Sequence, residues 1–206
     1  MTSTLAQTKT ELLSLSATTD AGFESGKDAD IIARIKTLAA DVEAQTPTPD
    51  PSAHLAKMNG RWKLLYSSFG LERDTNLRRI SFGTLPRDAK IRLSGVFQVV
   101  DAATGQYDNH VEFTAGDVPG VHITQGKFIP EASDKKRLTI TFTANAAVPR
   151  GTEITDAALR AALDVSGDQR LDAPLKFTGW SDVTYLDADT RLMRGNAGNL
   201  YVLVRS

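Results

Sequence analysis

The chain is predicted to be mainly β: an antiparallel up-and-down β-barrel preceded by an N-terminal helical pair. Three observations predict it. From Gly60 onward apolar residues recur at every second position, the period at which a strand returns to one face of a sheet. Short turn signals separate these runs, at Ala103-Thr-Gly105, Ala115-Gly-Asp117, Pro130-Glu131 and Ser133-Asp134, and a meander of many short-connected strands closes most naturally into a barrel. Ahead of Thr46-Pro-Thr-Pro-Asp-Pro51 the apolar spacing is helical instead. That stiff, polyproline-like run divides residues 1–51, helices and connector, from a barrel over residues 52–206.

A first helix is expected from about Ser3 to Ala17, where Leu5, Leu12, Leu13 and Leu15 stand among polar residues, with Gly22 and Gly26 breaking it. The second, from about Asp28 to Ala44, gathers Ile31, Ile32, Ile35, Leu38, Ala39 and Val42 on one face. Its polar face mixes charge signs, which fits packing on the next domain; a membrane-surface helix favours Lys and Arg there. The first barrel strand alternates Trp62, Leu64 and Tyr66 with Arg61, Lys63 and Leu65, and Leu77, Arg79 and Ser81 suggest a second, polar strand. Alternation continues through Leu93, Phe97 and Val99, then Tyr107, Val111 and Phe113, then Val121, Ile123 and Ile129, then Leu138, Ile140 and Phe142. Thr155–Leu163 interrupts the meander as a short helix with Leu159 and Leu163 one turn apart, either a lid on the barrel mouth or a structural insertion. Thr184–Leu186, Arg191–Met193 and Leu200–Arg205 are strands, separated by the acidic turn Asp187-Ala-Asp189 and the turn Gly195-Asn-Ala-Gly198. A chain ending on a strand is expected to close the sheet with it, because an open edge exposes unpaired N–H and C=O groups.

Composition excludes several classes. A net charge of −1 with 24% charged residues creates no overall field for nucleic acid or an acidic membrane. With no cysteine, disulfides, thiolate metal sites and Cys nucleophiles are ruled out. No apolar run approaches the ~20 residues that span a bilayer. The first residues lack both a secretory h-region and the arginines of a transit peptide.

Catalytic patterns are scarce. Asp108, His110 and Glu112 share one strand face, and His122 on the next strand is a candidate neighbour for a metal set. The apolar residues of that strand have the other parity, however, so His110 and Glu112 are read as facing water, and no metal is expected. Asp187 and Asp189 are read as turn-forming rather than as paired acids. Arg194-Gly-Asn-Ala-Gly198 lacks the Lys-Ser/Thr and following helix of a P-loop, so it is read as a hairpin turn. No serine stands in G-x-S-x-G, and no organic cofactor is implied. Arg73, Arg78, Arg79, Arg87, Lys90 and Arg92 make one segment basic; it is a solvated strand face or a dock for an anionic partner or headgroup. Only Phe69 and Phe82 stand near those arginines to stack bases, so a nucleic-acid partner is not expected.

The bulky strand residues Trp62, Tyr66, Phe97, Phe113, Phe128, Phe142, Phe177, Trp180 and Tyr185 either fill the barrel or line a chamber for an apolar ligand. Trp180 has polar same-parity neighbours, Lys176, Thr178 and Asp182, so it faces a semi-polar chamber or a partner. Gly60-x-Trp62 at the first strand resembles the lipocalin G-x-W motif. There a Trp closes the narrow end under a basic side chain from a late strand, and Arg205 is the candidate for that role.

The run Tyr185-Leu-Asp187-x-Asp189-x-Arg191-x-x-Arg194-Gly195-Asn196-x-Gly198-x-Leu200-Tyr-Val-Leu203 resembles the C-terminal signature of the PAP/fibrillin family, the plastid lipid-associated proteins and their cyanobacterial relatives. Pro47-Thr-Pro49, Leu55, Asn59-Gly-Arg-Trp62 and Leu64-Leu-Tyr66 are similar to that family's first barrel strand, and Arg34, Ile35 and Leu38 fit its helical N-terminus. The resemblance implies a lipocalin-like barrel and non-catalytic binding of an apolar small molecule: a lipid, an isoprenoid quinone or a carotenoid. Its setting is photosynthetic membranes or lipid globules, in structural or stress-protective roles. A cyanobacterial-type member, cytoplasmic and peripheral to the thylakoid membrane, is expected, with a peripheral membrane or protein partner. Two alternatives stay open: a filled-barrel scaffold acting through its surface, and a bilin chromophore lyase, which also uses such a barrel.

Overall fold

The computed structural model describes residues 4–23, 28–85, 88–196 and 198–206. Ser3, Gly26, Arg87 and Ala197, which figure in the expectations above, lie outside the described residues. Among the described residues nine strands form one antiparallel sheet: β1 (Gly60–Ser67), β2 (Asp74–Asn76), β3 (Lys90–Asp101), β4 (Gln106–Ala115), β5 (Val118–Glu131), β6 (Asp134–Pro149), β7 (Asp172–Leu186), β8 (Thr190–Gly195) and β9 (Leu200–Arg205). Strands β3 to β9 pair consecutively, and β1 closes the ring by pairing with both β9 and β3. The edge of β3 is shared, with Gly60–Lys63 on its later half and Asp74–Asn76 on its earlier half. The final strand thus has partners on both sides, which leaves it no open edge.

Helices α1 (Leu5–Thr18) and α2 (Ala29–Glu43) lie against the outer face of this ring. Asp28 caps α2 through the N–H groups of Asp30 and Ile31, the capping chemistry that starts a helix after a Ser, Thr, Asp or Asn. The stripe Ile35, Leu38, Ala39 and Val42 packs on Leu12 of α1 and on Tyr66, Tyr185, Leu192, Leu200 and Val202 of the barrel wall. The expected polar strand over Leu77–Ser81 is instead a one-turn helix, α3 (Leu77–Ile80), because the Asn76 side chain accepts from the Arg79 N–H at 2.8 Å and caps it. Helix α4 (Asp156–Ala162) starts at the Thr155 cap and buries Leu159, with Leu163 just beyond it, among Phe113, Leu93, Ile91 and Ala147, so it stoppers one end of the barrel.

The inner face carries two apolar clusters. One, at the α4 end, includes Leu77, Leu85, Leu93 and Phe113; the other includes Trp62, Leu64, Val100, Tyr107, Phe128, Val183 and Leu203. On β5 the inner parity belongs to His122, Thr124, Gly126 and Phe128, while Val121, Ile123 and Ile129 point outward. Gly126 and, two positions before His122 on the same face, Gly120 make room for rings. A Cβ at Gly120 would come within 2.5 Å of Phe113, and one at Gly126 within 2.8 Å of Phe142.

Candidate functional site

The closed end is built around Trp62. Its indole N–H donates to the Met58 carbonyl at 2.8 Å, and the Arg205 guanidinium lies 4.3 Å over its ring. Arg205 in turn donates to the carbonyls of Asn59, Lys57 and Ala188, at 2.5, 2.9 and 2.7 Å. Gly60, at φ +110°, leaves room for that guanidinium, since a Cβ there would come within 3.0 Å of Arg205 Nη1. A second guanidinium, Arg191, approaches the same ring at 4.6 Å from within the barrel wall. It is fully buried, donates from Nη2 to Gln98 Oε1 at 2.6 Å, and finds no acceptor for Nε or Nη1. Burial pulls it down to about 10, so it remains a cation at neutral pH.

Above this floor the wall mixes apolar and polar side chains that are only partly covered. Val96, Gln98, Asn109, Val111, Phe142 and Tyr201 share the inner face with the two clusters, yet each keeps part of its surface accessible. Inward side chains of a closed barrel retain accessible surface only where the interior is not filled. His122 and Asn145 are fully buried on the same face. The Asn145 Nδ2 donates to the Ser81 carbonyl and the Thr84 hydroxyl at 3.0 and 2.9 Å, pinning the loop after α3 across the barrel end. Both His122 ring nitrogens and Asn145 Oδ1 lack partners. Burial pushes His122 down to about 4, only partly opposed by the adjacent Asn145 amide, so the ring is neutral.

Beside that loop, two rings reach the surface. Phe177 has the parity of the inner residues Ser181 and Val183 but is 50% exposed. It stacks on its cross-strand partner Phe142 at 6.1 Å and on Phe82, itself 64% exposed, at 6.4 Å. A ladder of three rings therefore leads from the surface to the accessible interior.

On the outer face, β7 and β8 hold the helices through charge. Glu43 of α2 receives both Nε and Nη2 of Arg194, at 2.9 and 2.8 Å, and the Thr184 hydroxyl at 2.6 Å. In the turn after β7, Asp187 Oδ1 accepts the Asp189 and Thr190 N–H groups, while Oδ2 accepts Lys9 of α1 at 2.8 Å and the Tyr185 hydroxyl at 2.6 Å. Burial alone would raise the Asp187 carboxyl, but these donors hold it down at about 2.

The PAP_fibrillin family profile matches residues 6–204. The chain belongs to this family. Similar proteins include a "Plastid-lipid-associated protein, chloroplastic" of Citrus unshiu, 29% identical over 84% of this chain and 60% of that protein. A "Probable plastid-lipid-associated protein 1, chloroplastic" of Arabidopsis thaliana is 27% identical over 91% and 65%. A "Chromoplast-specific carotenoid-associated protein, chromoplastic" of Cucumis sativus is 26% identical over 91% and 64%. The chain thus spans about three fifths to two thirds of the length of these relatives. No solved structure matches it.

The signature residues of the family take distinct places here. Asp187 and Arg194 dock helices, Asp189 joins Asp187 around Lys9, and Gly195 and Gly198 form a turn closed by a 2.8 Å backbone bond. Of its charged residues, Arg191 alone points into the barrel, beside the apolar Leu186, Tyr201 and Leu203. Of the aromatic residues singled out from the sequence, Trp62, Phe113, Phe128, Phe142 and Phe177 face inward. Tyr66, Phe97 and Tyr185 do not. Bulges between Leu64 and Tyr66, Leu93 and Gly95, and Val183 and Tyr185 turn them outward. Tyr66 and Tyr185 lie under the helices, and Phe97 lies beneath the Arg61 guanidinium at 3.4 Å. Trp180 is also outside, covered by Arg137 at 3.9 Å, which pairs with Asp182.

The candidate metal set is split: His110 pairs with Ile123 and His122 with Val111, so the two imidazoles occupy opposite faces. Among the described residues no group of three such side chains could hold a metal ion. Part of the basic segment is neutralised, with Arg73 on Asp20, Arg79 on Glu72 and Arg92 on Asp74. Sequence reasoning missed the Phe82–Phe177–Phe142 ladder and the inward Arg191. The first depends on a loop crossing the barrel end; the second had only its place in the signature as a signal.

Proposed function

We propose that this protein is a non-catalytic carrier or store for an apolar small molecule, a lipid, isoprenoid quinone or carotenoid, held inside the barrel. The observation that carries this reading is the partly accessible inner face, joined to the surface by the Phe82, Phe177 and Phe142 rings. Each Å² of ligand surface withdrawn from water there contributes ~25 cal/mol. The names of the plastid-lipid-associated and carotenoid-associated relatives support the ligand class; a structural role at photosynthetic membranes or lipid globules is part of the proposal. Contact with a membrane would be peripheral; no helix among the described residues is long and apolar enough to cross one.

The test is organic extraction of protein purified from a photosynthetic host, with mass spectrometry and an absorption spectrum. A stoichiometric lipid, quinone or carotenoid is expected, with uptake reduced by Phe177→Ser and unchanged by Trp180→Ala. An empty protein that also takes up none of a panel of such ligands would move the assignment to a scaffold acting through its surface. Covalent transfer of a bilin to an acceptor protein would move it to a lyase.

A further inference from the structure

The closed end of the barrel contains a cation that the fold does not neutralise. Arg191 is fully buried, yet no carboxylate among the described residues forms an ion pair with it, and its one hydrogen-bond acceptor is the neutral Gln98 amide. Arg205, across the same indole, adds positive charge, although its own guanidinium is satisfied by three backbone carbonyls. The Tyr107 hydroxyl, also buried and adjoining Gln98, reaches the Met193 sulfur at 3.6 Å, a weak acceptor. Two positive charges converge here, and Arg191 Nε and Nη1 have no acceptor, an arrangement that is costly unless an anion completes it.

We propose that this end receives the carboxylate of a long-chain amphiphile, a fatty or isoprenoid acid, whose tail runs along the barrel toward Phe142 and Phe177. The proposal rests on the chamber reading above and names the head group that chamber selects. Gln98 Oε1 occupies the place of one carboxylate oxygen. Because Gln98 is only half-buried and borders the accessible middle of the barrel, its side chain has somewhere to go when displaced. A planar monoanion matches a single uncompensated guanidinium and the small volume of one displaced amide; a phosphate is bulkier and carries more charge.

The test is displacement of a fluorescent apolar probe from the full chain by oleate and by oleyl alcohol, at pH 8 where the acid is ionised. Wild-type protein is expected to bind oleate about tenfold or more tightly than the alcohol, the scale of a charge-assisted hydrogen bond. Arg191→Met is expected to bind both with the affinity of the alcohol. Gln98→Glu, which supplies an internal anion of nearly the same shape, should do the same and carries the test if the arginine variant fails to fold. Equal wild-type affinity for the two ligands, or a preference surviving in both variants, would overturn the carboxylate site and leave the chamber standing. Oleyl phosphate binding more tightly than oleate would overturn the choice of carboxylate. If wild-type protein binds neither oleate nor the alcohol, the chamber reading fails and this proposal falls with it.

Discussion

Two arginines three positions apart on β8 meet opposite fates. Arg194 points outward and finds a two-point ion pair with Glu43; Arg191 points inward and finds one neutral amide and the face of an indole. The same short strand therefore joins an outer wall whose charge is matched by a helix to an inner face whose charge has no carboxylate partner among the described residues. Outer polar groups here serve assembly of the fold. Inner ones, Arg191 and His122, are buried with unpaired nitrogens that cost stability, which is where binding function is expected to reside.

The largest effect should come from removing the residue that the buried Arg191 and the exposed Arg205 share. Trp62→Ala deletes a fully buried indole and is expected to cost about 3–5 kcal/mol, a core-cavity penalty, measured as a lower urea midpoint. A loss under about 1 kcal/mol would show that the closed end is not a packed floor.

Acid should separate the two faces next. His122 is held neutral, down to about 4 from an ordinary 6.5. The unfolded chain therefore binds the extra proton between those values, so stability is intact above pH 6.5 and falls as pH drops to 4, by about 2–4 kcal/mol at most. Asp187, depressed to about 2, contributes stability that is present above its ordinary value near 4 and lost only as pH falls toward 2. Urea midpoints at pH 7, 5.5 and 4 should decline in wild-type protein and stay nearly flat in His122→Gln. Equal decline in both would place the acid-sensitive group elsewhere.

The helices test the outer face. Glu43→Ala leaves the Arg194 guanidinium and the Thr184 hydroxyl without their partner in a site where the two charged side chains are 29% and 17% exposed. A loss of about 1–2 kcal/mol is expected, less than for a fully buried pair. Faster hydrogen exchange in α2 than in the barrel strands would show that the loss is local to helix docking.

Which of these faces a residue occupies was only partly legible in the sequence. Period two gave the barrel, and the Ile35, Leu38, Val42 stripe gave the packed helix, because both follow from uninterrupted local repeats. Parity failed wherever a bulge intervened. Tyr66, Phe97 and Tyr185 read as inward by counting, and one extra residue in each strand turns them out. On β5 the more apolar parity was the wrong guide, since His122 and Thr124 line the interior while Ile129 is exposed. Inward polar residues such as Arg191, His122 and Asn145 break the rule that inward means apolar, and that is why counting apolar residues did not find them.

The smallest expected change is the one with the most informative sign. Arg194→Met should lose about 1–2 kcal/mol by stranding Glu43, whereas Arg191→Met should lose nothing or gain about 1 kcal/mol in ligand-free protein. That substitution gives up a cation–π contact worth ~0.5–2 kcal/mol, and it also removes the desolvation cost of an unpaired buried charge. Thermal melts of both variants, stripped of lipid, decide the matter. A loss of about 3 kcal/mol or more at Arg191 would mean the barrel already holds a counter-charge for it, and the difference between the two faces of β8 would disappear.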